Sequence, residues 1–235
     1  MPLVRLQKFL SAAGVCSRRQ GEKYITDGLV TVNGTIMTEL GTRVDPKRDT
    51  VAFKGRLVET GQDLIYIALH KPKGYVTTCD QPGARIVMEL VDISQRVYPV
   101  GRLDKDSTGL LLLTNDGRLH HTLSHPSFDH EKEYDVQVKA PISDSALEKM
   151  AQGLPMMGTR TREAKITRIS RQRFRMVLKE GKNRQIRRMV RKVGGQVSAL
   201  KRIRMAGISL GNLEPGAWRY LSDREQASLL KLMAS

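Results

Sequence analysis

The run Gly101-Arg102-Leu103-Asp104-Lys105-Asp106-Ser107-Thr108-Gly109-Leu110 sets two carboxylates around a lysine, between two glycines and just ahead of the apolar run Leu110–Leu113. A carboxylate presented on a short loop can attack an electrophilic carbon or take a proton, as carboxylates do in glycoside chemistry. Asp and Ser ahead of Gly are also ordinary turn formers, and taken alone the segment reads as a turn. Tyr134 lies in Glu133-Tyr134-Asp135-Val136-Gln137-Val138, where alternation favours a strand and, taken alone, a core tyrosine. Further on, Gly181-Lys182-Asn183-Arg184-Gln185-Ile186-Arg187-Arg188-Met189 crowds cations onto a segment with helical spacing. Four of the five histidines, His120, His121, His125 and His130, fall within 11 residues. Their spacing fits no familiar zinc set and no cysteine is near, so the expectation is no metal.

Charge says what such groups would act on. The 235 residues hold 40 Lys plus Arg against 24 Asp plus Glu, a net charge of +16. Residues 160–204 alone carry 17 basic and 2 acidic side chains, while 61–159 carry 10 and 13. A surplus confined to 45 residues is a binding face for a polyanion, and nucleic acid fits best. Arginine outnumbers lysine there by 12 to 5, which suits forked contacts to phosphate. Aromatics are only 5% of the chain, so stacking on many successive bases is not expected.

Several classes fall away. Gly181-Lys182 lacks the upstream glycine of a phosphate-binding loop, and no dinucleotide fingerprint is present, so no cofactor is expected. Cys16 and Cys79 are too few for a disulfide framework or a four-cysteine zinc site. The longest apolar runs, Ile65–Leu69 and Leu110–Leu113, are far short of the ~20 residues of a membrane span. Arg5, Gln7 and Lys8 interrupt any signal-peptide core, and a cytoplasmic location with reduced thiols is expected.

The elements that must position these groups read as follows. Leu3, Leu6, Leu10 and Ala13 predict a helix closed by Gly14, and Ser17-Arg18-Arg19-Gln20 predicts the capped start of a second. Val30–Val32, Asn33-Gly34 and Thr35-Ile36 predict a hairpin. After a linker at Thr60-Gly61-Gln62-Asp63, strands are predicted over Leu64–Leu69, Tyr75–Thr78, Leu110–Thr114, Tyr134–Val138 and Phe174–Leu178. Helices are predicted over Arg118–Ser124 and Arg184–Val193. Strands in runs without β-α alternation indicate an α+β fold with a largely antiparallel mixed sheet behind a small helix-helix-hairpin domain.

Two resemblances sharpen this. Arg5–Leu10, Gly14–Arg19 and Gly28–Gly34 resemble the ribosomal-protein-S-four-like RNA-binding domain over about residues 3–60. The Arg102–Gly109 segment resembles the catalytic motif of bacterial ribosomal small-subunit/large-subunit type pseudouridine synthases. Lys71-Pro72-Lys73-Gly74, Glu131-Lys132-Glu133-Tyr134 and Gly181–Met189 resemble that family's other blocks, in order.

The resemblance implies an RNA-binding domain over residues 1–60, a linker at 61–63 and a catalytic domain over 64–235. It implies an isomerase that turns one uridine of ribosomal RNA into pseudouridine by base flipping, without metal or cofactor. Asp104 would be the nucleophilic aspartate, Tyr134 the aromatic that packs on the flipped uracil, and Arg187 the cation paired with Asp104. Such a cation favours the ionised carboxylate. Asp106 would shape the turn. Arg102, Lys105, Lys182, Arg184, Arg188 and Arg191, with Arg18 and Arg19 in the first domain, would contact RNA. The Asp104 and Tyr134 blocks favour 23S over 16S rRNA, with transfer RNA a further candidate and a monomer expected. A non-catalytic ribosome-assembly factor accounts for the charge and the first domain but not for the ordered Asp104, Tyr134 and Arg187 set. A DNA-binding regulator would need a recognition helix that does not stand out.

Overall fold

A computed structural model describes residues 3–59, 61, 63–124, 129–156 and 158–234. Thr60 and Gln62 of the predicted linker, and His125, lie outside the described residues. The chain divides into two compact units: Met1–Leu64 with Ser94–Arg96 and Asn115–Gly117, and the remainder.

In the smaller unit, helix Leu6–Ala12 turns Leu6, Phe9 and Leu10 inward, and helix Arg18–Thr26 adds Ile25. The second helix starts at Ser17, whose Oγ accepts from the Gln20 amide, as its sequence predicts. Strands Val30–Val32 and Thr35–Met37 form the predicted hairpin. Asn33 and Gly34 both have positive φ, 51° and 82°, the conformation a two-residue turn of this hand requires. The hairpin extends to a four-stranded sheet through Val51–Phe53 and Arg56–Leu57, which the sequence does not separate. Val30, Val32, Val44 and Val51 close the core.

The larger unit is an α+β domain on a nine-stranded mixed sheet. The order is Lys165–Ser170, Arg173–Leu178, Lys132–Val138, Val197–Met205, Thr108–Thr114, Tyr66–Lys71 and Trp218–Tyr220. Ile208–Ser209 pairs with Val197–Met205, and Tyr98–Val100 with Thr108–Thr114. Among the described strands of this sheet, pairing is antiparallel except where Lys201 and Arg202 meet Thr108 and Gly109 in parallel. Strand Tyr66–Lys71 and the apolar run Leu110–Leu113 lie in the interior of the sheet, buried on both faces. One core joins Val136, Phe174 and Met176 to Ile186, Met189 and Val190 of helix Gln185–Lys192. Helix Asp144–Ala151 adds Leu147 and Met150.

One predicted element is corrected. Tyr75–Thr78 does not form a strand: Val76 makes a single bridge to Ile86. Gly74, at φ 94°, instead turns the chain so that its amide donates to the Lys105 carbonyl, and this segment becomes a support for the Asp104 loop.

Candidate active site

Asp104 sits on a loop whose main chain is held from below. Thr77 Oγ1 donates to the Leu103 carbonyl at 2.8 Å and accepts from the Leu103 amide at 3.2 Å. The Gly74 amide reaches the Lys105 carbonyl, and within the loop the Ser107 amide closes onto the Asp104 carbonyl at 3.0 Å. Lys71 is fully buried, and its ammonium donates to the carbonyls of Pro72 (3.0 Å), Lys105 (3.4 Å) and Ser107 (2.8 Å). Burial pushes the Lys71 ammonium down to about 8, against the opposing pull of Asp104 and Asp106. A buried cation with three carbonyl acceptors pins one loop conformation.

The loop forms one wall of a cleft of about 490 Å³, which Arg102, Lys105, Lys132, Tyr134, Lys182, Arg184 and Arg202 also line. Tyr134 is half-buried in strand Lys132–Val138, opposite Met176 on one neighbour and Arg202 on the other. It packs against two core clusters and lines both the cleft and an adjoining hollow of about 100 Å³. Both spaces also include Asp104.

Arg184 Nη1 lies 3.8 Å from Asp104 Oδ2 and 3.8 Å from Asp106 Oδ2. The expected partner, Arg187, reaches past the carboxylate instead. Its Nη2 donates to the Asp106 carbonyl at 3.0 Å and lies 3.4 Å from Ser107 Oγ. Desolvation first, then Arg184, lowers the Arg187 pKa below its ordinary value, with Asp106 and Asp104 opposing.

The cause of this exchange is local. Arg184 is the N-cap of helix Gln185–Lys192 and takes a left-handed conformation, φ 50° and ψ 33°, which throws its side chain toward the loop. Buried Gln185 fixes that corner: its Oε1 accepts from the Lys182 amide at 3.0 Å and its Nε2 donates to Glu180 at 2.7 Å. Sequence reasoning missed Gln185, Thr77 and the buried role of Lys71, because each acts on main-chain groups or corners that spacing alone does not reveal.

The remaining basic positions differ in use. Arg102 and Lys105 are exposed at the cleft. Lys182 is held by Thr159 Oγ1 (2.8 Å) and the Arg160 carbonyl (3.0 Å). Exposed Arg188 donates to Asn183 Oδ1 at 3.1 Å, and Arg191 is exposed on the last turn of the helix. Neither is among the residues lining the cleft. Arg18 and Arg19 are exposed on their helix in the smaller unit.

Part of the 160–204 surplus is neutralised by carboxylates of the same unit. Arg162 grips Asp129 (2.6 and 2.8 Å), Arg173 grips Asp135 (2.8 and 2.6 Å), and Arg204 bridges Glu131 and Glu133, each at 2.9 Å. Of the histidines, His120 stacks edge-on against Tyr98 with centroids 5.4 Å apart, and burial lowers its pKa. No cluster of three metal-capable side chains occurs among the described residues.

Asp104 and Tyr134 thus line one cleft with a cationic rim, an arrangement that suits a nucleotide within a polyanion. The comparisons carry this further. The family model for RNA pseudouridylate synthase matches residues 65–192, and that for the S4 domain matches residues 4–49. The dual-specificity RNA pseudouridine synthase RluF of Escherichia coli (strain K12) is 42% identical over 232 residues, 98% of this chain and 79% of the relative. The ribosomal large subunit pseudouridine synthase B of Bacillus subtilis (strain 168) is 38% identical over 236 residues, 97% of this chain and 96% of the relative. A crystal structure of a pseudouridylate synthase shares the fold with TM-score 0.70 at 29% identity, over 97% of this chain and 99% of that one. The chain belongs to the RNA pseudouridylate synthase family and carries an S4 domain.

Proposed function

We propose that this protein isomerises a specific uridine of ribosomal RNA, 23S rRNA in preference to 16S, to pseudouridine. The observation that carries the reading is Asp104 itself: a half-buried carboxylate on a loop held by Thr77, Gly74 and Lys71, facing Tyr134 across a cleft large enough for one nucleotide.

Residues 1–60 would grip the RNA and 64–235 would carry the chemistry, with 61–63 as linker. The target base leaves its stack at a cost of a few kcal/mol, and stacking on Tyr134 recovers part of it. Asp104 then attacks the sugar or removes a ribose proton. In either course the bond between C1′ and N1 breaks, the base turns, and C5 joins C1′. Arg184 holds the Asp104 carboxylate from the front, and Arg187 secures the loop behind it. Arg102, Lys105, Lys182, Arg188 and Arg191 would meet backbone phosphates, with Arg18 and Arg19 adding contacts from the first domain. Among the described residues no helix is long and apolar enough to cross a membrane, and a cytoplasmic monomer acting on RNA suits this chemistry.

The test is incubation with unmodified 23S, 16S and transfer RNA, followed by carbodiimide labelling and primer extension, with Asp104→Asn alongside. One new stop with the wild type and none with the variant is expected. No stop on any of the RNAs would leave an RNA-binding assembly factor as the better reading. Transfer RNA is included as the further substrate class that the family resemblance leaves open.

A further inference from the structure

Arg202 is among the largest fully buried side chains of the molecule, with 2% of its surface exposed. It lies on strand Val197–Met205, between Tyr134 on one neighbouring strand and Gly109 on the other. Its Nε donates to the Leu110 carbonyl at 2.7 Å, which fixes the plane of the guanidinium. Its Nη2 is buried and has no acceptor among the described residues. A buried charged donor without an acceptor is costly, and a ligand that supplies the missing acceptor relieves that cost.

The carboxylates that might have served it are engaged elsewhere. Glu131 and Glu133 are taken by Arg204, and Asp104 faces Arg184. A second cation stands close by instead. Lys132, two positions before Tyr134, also lines the cleft, and among the described residues its ammonium has one acceptor, the His130 carbonyl at 3.3 Å. Desolvation, and then the charge of Arg202, lowers the Lys132 pKa. Two like charges brought together in a partly dry wall favour an anionic occupant between them.

The occupant follows from depth. Exposed Arg102 and Lys105 at the cleft are suited to phosphates. Arg202 is buried beside Tyr134, where the extruded base would stack, so it meets the base. When the N1–C1′ bond breaks, its electron pair departs with the uracil, which becomes an anion with charge delocalised onto its carbonyl oxygens. The charge disappears when C5 bonds to C1′. C5 then gives up its proton and N1 takes one, so no oxidant or co-reactant is needed.

We propose that Arg202 and Lys132 form a cationic pocket for a carbonyl oxygen of the flipped uracil, holding the base anion between cleavage and re-formation of the glycosidic bond. The pocket rests on the pseudouridine synthase reading of Asp104 and adds a leaving-group role that neither Asp104 nor Tyr134 fills. Because the charge develops only as the bond breaks, the pocket acts on turnover rather than on RNA affinity.

The test is single-turnover tritium release from 23S rRNA, 16S rRNA and transfer RNA transcribed with [5-³H]uridine, with RNA affinity measured separately by filter binding. Arg202→Met is expected to slow release about 100- to 1000-fold, the usual effect of removing a donor to a developing anion. Lys132→Met is expected to slow it about tenfold or more, and RNA affinity should stay within about threefold in both. The double variant should lose less than the product of the two, since both cations serve one oxygen. Arg202→Met also frees the Leu110 carbonyl, so Lys132→Met, with circular dichroism as a check, serves as the variant least exposed to folding failure. Release within about threefold of wild type, or affinity falling in step with rate, would overturn the pocket while leaving the enzyme intact. No release by the wild type on any of the three RNAs would overturn the enzyme reading, and the pocket with it.

Discussion

Gly109 lies against the main chain of Arg202 with no room for a side chain. A Cβ on Gly109 would stand 2.6 Å from the Arg202 amide nitrogen, and closer still to its carbonyl oxygen. The φ of Gly109 is 105°, a region that L side chains rarely adopt. This close approach is where the two parallel strands meet, and it joins the end of the Asp104 loop to the strand bearing Arg202. Gly109→Ala is therefore expected to destabilise the larger unit by about 3 kcal/mol or more, combining backbone strain with overpacking. A fall in the urea midpoint of unfolding checks it, and an unchanged midpoint would contradict the packing described.

Arg184 and Arg187 should separate by variant. The Arg184 pair with Asp104 is 3.8 Å long and partly solvated, so Arg184→Ala should change stability by less than about 1 kcal/mol. Turnover should fall about tenfold or more, equivalent to about 1.4 kcal/mol at the barrier. Arg187→Ala removes the donor to the Asp106 carbonyl and should cost about 1–3 kcal/mol of stability as well as activity. Thermal unfolding beside turnover distinguishes the two, and equal destabilisation by both would count against these assignments.

Lys71 gives a dependence on pH with a definite sign. In the folded chain its proton leaves near pH 8, while an unfolded lysine holds it to about 10.5. Between those values unfolding takes up a proton, so this group makes the folded state more stable as pH rises. The contribution is on the order of 3 kcal/mol across the window. The wild-type stability minus that of Lys71→Met, measured by urea unfolding from about pH 7.5 to about pH 10, should widen with pH. A gap that narrows would show that Lys71 titrates in the opposite sense.

The neutralised arginines bear on salt dependence. Arg188 and Arg191 are exposed and meet no carboxylate among the ion pairs of the described residues, whereas Arg173 is clamped by Asp135. Replacing Arg188 or Arg191 with alanine should lower the slope of log affinity against log salt by about 0.7–0.9 for each phosphate left without its cation. Arg173→Ala should leave that slope nearly unchanged. Filter binding of rRNA across a salt series reads both, and a loss of slope at Arg173 equal to that at Arg188 would show that the clamp opens on RNA.

What the sequence makes legible is what repeats or alternates locally. The Asn33-Gly34 turn, the apolar strand after Gly109 and the helix bearing Ile186, Met189 and Val190 all follow from neighbour spacing. What it hides depends on long-range pairing. Val197–Met205 reads as part of a basic stretch, yet the sheet buries Arg202 within it because Leu110, 92 positions away, supplies an acceptor. Tyr75–Thr78 has the residues of a strand, but the Gly74 turn commits it to the Asp104 loop. The pairing of Asp104 with Arg184 instead of Arg187 depends on a single left-handed residue, a conformation an arginine does not advertise.

Lys71 grips the Asp104 loop entirely through carbonyl oxygens, at Lys105 and Ser107, and anchors itself on that of its neighbour Pro72. Every residue type brings that same oxygen. The exposed side chain at position 105 can therefore drift over evolutionary time while the brace beneath it stays whole. Upkeep of the brace is thereby uncoupled from the side chains of the rim, which can change while the loop beneath them keeps its conformation.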